Sequence, residues 1–205
     1  MDKLAVCPGS FDPITNGHLD LLDRGLRIFD RIIIAIADNP AQKPLFTLEE
    51  RLEMIKLSVK DHPQRHRLDI DAFQGLLVDY VRKVKSNAIL RGLRAVSDFD
   101  YEFQMALMNR KLNGEIETLY FMTGMRWIYI SSGIIKEVVA SGGRVTGLVP
   151  EPVERSLAER LCARAGNPIG AGGKSSQNDR SKSGPGRVEN ILRRLRSGNY
   201  WWRKI

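Results

Sequence analysis

The stretch LAVCPGSFDPITNGH, residues 4–18, decides how the chain begins to fold. Its apolar start, residues 4–7, predicts a buried first strand, and the Pro-Gly pair that follows ends it. A new amphipathic pattern begins at Gly17 and His18 and predicts a helix. Free N–H groups and the positive end of the helix dipole meet at such a helix start, which favours a bound phosphate. His18 can add a hydrogen bond or a proton to the charge on that phosphate.

Strand-like apolar runs alternate with helical patterns along the rest of the body. Four further strands are predicted at about residues 32–37, 68–71, 88–90 and 118–122. Thr47 and Glu50 have capping-box spacing and predict a helix that ends near Lys60. Further helices are predicted over about 76–84, 98–112, 131–142 and 152–164. Five strands separated by helices predict a Rossmann-like, doubly wound α/β domain with a parallel sheet.

Four polar clusters follow the predicted strand ends, at residues 8–18, 38–43, 91–102 and 123–133. In an open parallel sheet, ligands bind beyond the carboxyl ends of the strands, which share one edge. We therefore expect these four clusters to converge.

Several side chains in these clusters suit phosphate chemistry, although each also has a simpler interpretation. Arg91 and Arg94 straddle a glycine and can grip phosphate oxygens in bidentate fashion, or they are a solvated basic loop. Asp98 and Glu102 lie one helical turn apart and either face one pocket or favour the helix dipole. The serine pair at 131–132 offers a plain N-cap or a second helix start that faces phosphate.

The motifs of several other common nucleotide-binding and catalytic sites are missing from the sequence. The chain has no Walker A lysine loop, its first loop does not fit the G-x-G-x-x-G fingerprint, and no serine–histidine–acid order stands out. Neither cysteine has an obvious partner histidine. A phosphate-handling site without an evident nucleophile suits direct in-line transfer between bound substrates, driven by positioning and charge stabilisation.

Charge divides the 205-residue chain into a neutral body and a basic end. Residues 1–165 hold 23 Lys and Arg against 22 Asp and Glu, whereas residues 166–205 hold 9 against 2. Residues 166–186 are rich in Gly and Ser and predict a flexible linker. Residues 187–205 form a basic, amphipathic and aromatic tail. It is either a variable extension or a segment that binds an anionic membrane, RNA or a protein.

Cellular location is indicated by three features of the sequence. No apolar run approaches a membrane span, and the amino terminus lacks the order of a signal peptide. Cys7 and Cys162 have neither metal spacing nor a disulfide framework, so both are expected to be buried free thiols. A reducing cytoplasm fits this usage.

The residues of the polar clusters resemble those of a known family. Residues 8–13 with Thr15, Gly17 and His18, then 91–94 with 98–102, then 130–132, closely resemble the bacterial phosphopantetheine adenylyltransferases. The Thr-x-Gly-His motif alone marks only the wider nucleotidyltransferase superfamily. The resemblance covers about residues 1–163, so that residues 1–165 are expected to form the nucleotidyltransferase domain.

The resemblance implies the reaction and its partners. ATP and 4′-phosphopantetheine would give dephospho-coenzyme A and pyrophosphate, with Mg²⁺, by direct attack without a covalent enzyme intermediate. This is the penultimate step of coenzyme A synthesis. The resemblance also implies a homohexamer and feedback inhibition by coenzyme A.

Roles for individual residues follow from the same resemblance. His18 would stabilise the charge on the α-phosphate in the transition state, and Ser10 and Arg94 would join it in catalysis. ATP would be bound by Ser10, Phe11, His18, Gly92, Leu93, Arg94, Glu102, Trp127, Ile128, Tyr129, Ile130, Ser131, Ser132 and Gly133. The pantetheine substrate would be bound by Ser10, Gln42, Lys43, Leu77 and Arg91. No protein side chain is assigned to the metal.

Three positions depart from the family pattern. Ser10 stands where the family usually has threonine, and Gly133 where it usually has serine or threonine. Gln42 aligns with the family lysine that meets the substrate phosphate, and glutamine brings no positive charge. Either Lys43 reaches in as a substitute or the site binds its phosphate more weakly.

Two other functions compete with this one. The first is a related transferase that uses another phosphate acceptor or CTP. The second is a catalytically weakened body that serves the basic tail as a nucleic-acid or membrane module.

Overall fold

The computed structural model describes residues 3–39, 42–94 and 96–162, with only the backbone described at residues 96, 97 and 162. In chain order the elements are β1 (Leu4–Gly9), α1 (Asn16–Gly25), β2 (Arg31–Ala37), α2 (Leu48–Ser58), a 3-10 turn (Arg65–Arg67), β3 (Leu68–Phe73), α3 (Leu77–Lys83), β4 (Ala88–Leu93), α4 (Val96–Leu112), β5 (Glu117–Met122), α5 (Ser132–Ala140), α6 (Glu151–Leu157) and a wider π-helical turn (Ala158–Cys162). The predicted linker at 166–186 and tail at 187–205 lie outside the described residues.

The five strands form one sheet in the order β3-β2-β1-β4-β5, and every neighbouring pair is parallel. All carboxyl ends therefore lie at one edge. The predicted doubly wound α/β fold is confirmed. The order changes direction between β1 and β4, and the crevice at such a switch point is where open α/β sheets bind ligands.

Both faces of the sheet are covered, as the continuous apolar run of β2 predicts. Ile32, Ile34 and Ile36 face the larger core cluster, which includes side chains from α1, α2, α5 and α6. Ile33 and Ala35 face the smaller cluster, together with side chains from α3. The alternation follows from the two-residue period of a strand. Cys7 lies in the larger cluster as a buried free thiol, as expected.

Two predicted element ends are wrong. Arg91, Gly92 and Leu93 were expected beyond β4, but they continue the strand and pair with Tyr120, Phe121 and Met122 of β5. The last predicted helix, 152–164, is instead α6 followed by the π-helical turn. No helix in the three described ranges is long and apolar enough to cross a membrane.

Candidate active site

The loop between β1 and α1 delivers His18 to the first turn of a helix. Thr15 is the N-cap of α1, with extended backbone at φ −126° and ψ 166°. Its backbone N–H donates to Nδ1 of His18 over 3.0 Å, and its hydroxyl lies 2.9 Å from the same nitrogen. This is a capping box in which histidine takes the place of the usual glutamate.

This capping contact fixes the tautomer of His18. Since a backbone N–H can only donate, Nδ1 must be the unprotonated nitrogen and Nε2 must carry the proton of the neutral ring. Burial, followed by the positive charges of Arg94 and Arg91, lowers the pKa of His18 to about 4. The ring is therefore neutral at pH 7. It offers a hydrogen bond from Nε2–H, which selects the first of the two roles that the sequence allows.

Within the loop that precedes His18, Phe11 is buried in the core. Phe11 adopts φ +45°, in the left-handed region that non-glycine residues seldom occupy. Its ring is 2% exposed and meets the His18 ring edge-on, with 5.1 Å between centroids. The whole residue is this deeply buried, so the Phe11 ring packs inside the loop and does not face the crevice. Ser10 beside it is exposed.

Arg91 is aimed across the crevice from β4. Its Nε donates to Glu102 over 3.0 Å, a second nitrogen pairs with the same carboxylate, and Nη1 donates to the carbonyl of Pro8 over 3.0 Å. The contact with Pro8 joins the ends of β1 and β4. Among the described residues, these contacts use three of the five N–H groups of the guanidinium.

Arg94, three residues after Arg91, makes a second bridge, which joins the end of β4 to α4 and to the segment 123–133. Its Nε donates to Asp98 over 3.0 Å, and Nη1 donates to the carbonyl of Ile130 over 3.2 Å. Asp98 and Glu102 on α4 are thus each paired with one arginine of the cluster. Each carboxylate therefore faces the arginine cluster and neutralises part of its positive charge.

The segment 123–133 closes against the first loop. A Cβ placed on Gly17 would lie 3.5 Å from that of Trp127, so the start of α1 touches this segment. Ser131 caps α5, and its hydroxyl accepts from the N–H of Ile134. Ser132 donates to the carbonyl of Pro13 over 2.8 Å. The N-cap interpretation therefore holds for Ser131, while Ser132 ties α5 to the loop.

Most of the remaining residues of that segment are exposed. Residues 125–129 form a turn in which Ile128 and Tyr129 are exposed and Trp127 is half-buried, and Ile130 after it is buried. Gly133 follows in the first turn of α5 and is exposed.

Three of the predicted clusters, 8–18, 91–102 and 123–133, meet as expected. The fourth, 38–43, reaches the first loop through Arg51, whose side chain is 3% exposed. Arg51 donates to the carbonyl of Ser10 over 3.0 Å and pairs with Asp38 at 3.1 Å. Gln42 and Lys43 are exposed in the loop beyond β2. Leu77 begins α3 and packs partly against the smaller core cluster. Within the described residues these three side chains stand outside the network.

Cavities adjoin both edges of the sheet. One of about 440 Å³ opens beside Asp38, Phe73, Gln74 and Tyr80, at the carboxyl ends of β2 and β3. A larger one, about 520 Å³, lies at the opposite edge beside Lys3, Asn87 and Asn113. The first shares Asp38 with the network described above and so belongs to the same edge as His18.

Comparison with known proteins gives a family. The cytidylyltransferase-like family model matches residues 6–138. A phosphopantetheine adenylyltransferase of Syntrophus aciditrophicus is 58% identical over 160 residues, which are 78% of this chain and 95% of the relative. One of Desulfosudis oleivorans is 55% identical over 159 residues, 78% of this chain and 93% of the relative. The chain belongs to the phosphopantetheine adenylyltransferase family.

Solved structures of more distant proteins share the fold. A bifunctional NMN adenylyltransferase/ADP ribose pyrophosphatase of Francisella tularensis superposes with a TM-score of 0.58 at 16% identity, over 81% of this chain and 53% of that one. A putative nicotinate-nucleotide adenylyltransferase of Vibrio parahaemolyticus gives 0.57 at 14% identity, over 77% and 99%. At such identities the likeness concerns the fold alone.

Some residues of the site in this family member carry no clear sequence signal. Arg51 and Asp12 are buried, 2% and 4% exposed, and burial of a charged side chain cannot be read from a single sequence. Thr15 is different, since its spacing from His18 is that of a capping box with histidine in the third position.

Proposed function

We propose that this protein transfers the adenylyl group of ATP to 4′-phosphopantetheine, giving dephospho-coenzyme A and pyrophosphate. The observation that carries the proposal is the 58% identity to a phosphopantetheine adenylyltransferase. The aligned residues make up 95% of that relative. The site geometry supports it, because two arginines and a neutral histidine surround one helix start at the sheet's carboxyl edge.

The reaction needs no covalent enzyme intermediate. A phosphate oxygen of phosphopantetheine attacks the α-phosphorus of ATP, a new P–O bond forms, and the bond to the bridging oxygen breaks as pyrophosphate leaves. Nε2–H of His18 donates to a non-bridging oxygen of the α-phosphate, where charge accumulates. Arg94 and the amino end of α1 add positive potential at the same place. The enzyme contributes position and charge, which suits a site without a nucleophile.

Mg²⁺ is the cofactor of this proposal. The described residues hold no group of three or more His, Cys, Asp or Glu side chains that could cage a metal. Mg²⁺ at phosphate-transfer sites keeps several waters and is held by substrate phosphates with one or two carboxylates, so it can enter bound to the triphosphate without a protein cage. When bound, it neutralises charge on the phosphates and the leaving pyrophosphate.

Assembly, inhibition and location complete the proposal. A homohexamer needs contacts between subunits, and α4 offers apolar surface for one, since Phe99, Tyr101, Phe103, Leu107 and Met108 are each more than half exposed on the isolated chain. Exposed apolar surface of this kind is typical of a protein interface. Coenzyme A, which keeps the pantetheine arm of the product, would compete for the same site as a feedback inhibitor. A cytoplasmic location fits the free thiol of Cys7.

Pyrophosphate release tests the function. With Mg²⁺ and ATP, we expect turnover with 4′-phosphopantetheine and none with nicotinamide mononucleotide; glycerol 3-phosphate with CTP should also give none. Chelation of Mg²⁺ with EDTA should stop turnover. His18→Ala should lower kcat by about 10²–10³-fold, as loss of one transition-state donor usually does.

The exposed His66 supplies the matched control, since His66→Ala should leave kcat unchanged. Preference for either other acceptor would support the related-transferase alternative. Absence of all turnover would support the alternative in which a catalytically weakened domain serves the basic tail, residues 187–205, as a nucleic-acid or membrane module. An active His18→Ala enzyme would overturn the role of the histidine.

A further inference from the structure

The carboxylate of Asp12 joins three separate parts of the chain. It accepts the backbone N–H of Leu45 at Oδ2 over 2.9 Å and that of Phe46 at Oδ1 over 3.0 Å. Lys136 on α5 places its Nζ 2.5 Å from Oδ2. The residue is 4% exposed, so these partners replace the water that an ionised carboxylate needs.

The three parts are those on which the proposed reaction depends. Asp12 itself lies in the loop that leads to His18. Leu45 and Phe46 end the segment 42–46, which begins with Gln42 and Lys43. Lys136 lies on the helix that follows the segment 123–133. A shift at Asp12 would therefore change the distance between the 42–46 segment and His18.

The far side of the 42–46 segment is held as well. Arg160 donates to the carbonyl of Leu45 over 3.1 Å, and its guanidinium lies 5.3 Å from the centroid of the Phe46 ring. It also pairs with Glu50 at the start of α2. Arg160 orients the segment's end from that side, while Asp12 joins it directly to the loop of His18. Arg51 makes a separate bridge from Ser10 to Thr47 and Asp38.

The two acceptor oxygens of an aspartate are required for this link. Both oxygens accept from backbone donors that point in fixed directions, whereas an asparagine offers one acceptor and turns an NH₂ group toward the other donor. One backbone N–H would then lose its partner in a buried place, which is costly. Lys136 supplies the opposite charge that a buried carboxylate needs.

We propose that Asp12 is a positioning residue that holds the 42–46 segment at its working distance from His18, and that Lys136 keeps Asp12 in place. The inference rests on the proposed function, because Gln42 and Lys43 are expected to meet the phosphate of 4′-phosphopantetheine. Asp12 touches neither substrate in this proposal. Its effect reaches them through the backbone of Leu45 and Phe46.

Steady-state kinetics separate positioning from a merely structural role. Asp12→Asn and Lys136→Met should each raise KM for 4′-phosphopantetheine about tenfold or more, while KM for ATP stays within about twofold. Lys136→Arg should restore much of the loss, since it returns the charge. The matched control is Asp69→Asn, which removes the charge of an aspartate that pairs with Arg31 on the exposed surface. It should change neither KM.

A second measurement does not depend on activity. Hydrogen exchange of the Leu45 and Phe46 amides should quicken at least tenfold in Asp12→Asn and not in Asp69→Asn. If exchange quickens in Asp12→Asn while the wild-type protein does not turn over 4′-phosphopantetheine, the anchor stands and the proposed function is refuted. Unchanged exchange, an equal rise in both KM values, or a lower active fraction with unchanged KM would overturn the positioning role.

Discussion

At the scale of residues, the site divides into side chains whose roles follow from local spacing and side chains whose roles depend on distant partners. His18 stands at a helix start and Arg94 directly follows a strand, as the sequence predicts, whereas Arg91 lies within β4. Arg51 reaches Ser10 across 41 positions, and Asp12 reaches Lys136 across 124. Such pairs exist only once the chain has folded, so no periodicity or local motif announces them.

The state of His18 gives a prediction for pH. Burial first, and then Arg94 and Arg91, lower its pKa from 6.5 to about 4 in the folded protein. Between these values the unfolded chain binds a proton that the folded chain does not. The free energy of unfolding should therefore be greatest above pH 6.5 and fall, by up to about 3 kcal/mol, as the pH drops to 4.

Urea unfolding at a series of pH values measures this fall, and NMR of the imidazole ring measures the pKa directly. His18→Gln should remove that part of the pH dependence, whereas His66→Gln, at an exposed position, should retain it. The explanation would be refuted by a ring that titrates near 6.5, or by a His18→Gln variant with the wild-type slope.

At the scale of elements, apolar runs predict the strands and capping residues predict helix starts, whereas polar residues inside a strand lead to a wrong strand end. The capping box of Thr47 and Glu50 is present as predicted, with both reciprocal bonds at the start of α2. The end of β4 could not be predicted because Arg91 and Gly92 are typical of loops. They stay in the strand because β5 pairs with their backbone and Glu102 neutralises the arginine.

The cap of α2 gives a prediction for stability. Thr47 Oγ1 accepts the N–H of Glu50 over 3.2 Å, one of the four N–H groups that a helix start leaves without a partner. Thr47→Ala should lower the free energy of unfolding by about 1 kcal/mol. Thr47→Ser keeps the oxygen and should recover most of it. Equal loss in the two variants, measured by urea unfolding, would show that the hydroxyl does not stabilise the helix.

At the scale of the whole molecule, strand count and helix alternation were enough to predict the sheet, but the outer surface of α4 was not foreseen. Its sequence reads as a long helix with acids at its start, and apolar side chains occur around most of it. Phe99 and Phe103 stack on each other with 5.7 Å between centroids, and both remain half exposed. In the described part of the chain these side chains stay half exposed, and because apolar residues are spread around the helix, its sequence has no amphipathic period that marks one buried face.

The proposed hexamer would bury this surface of α4 between subunits, and a single charge placed there should prevent assembly. Leu107 on α4 is 53% exposed on the isolated chain, so Leu107→Glu leaves the folded core intact but buries an unpaired carboxylate in any interface built on α4. Light scattering coupled to size exclusion should give the wild type six times the 23.2 kDa of one chain and the variant a smaller multiple. Leu57→Glu is the control, because Leu57 is 44% exposed on α2, away from this surface, and should keep the wild-type mass. A wild-type mass for Leu107→Glu would place the contacts between subunits on another face of the molecule.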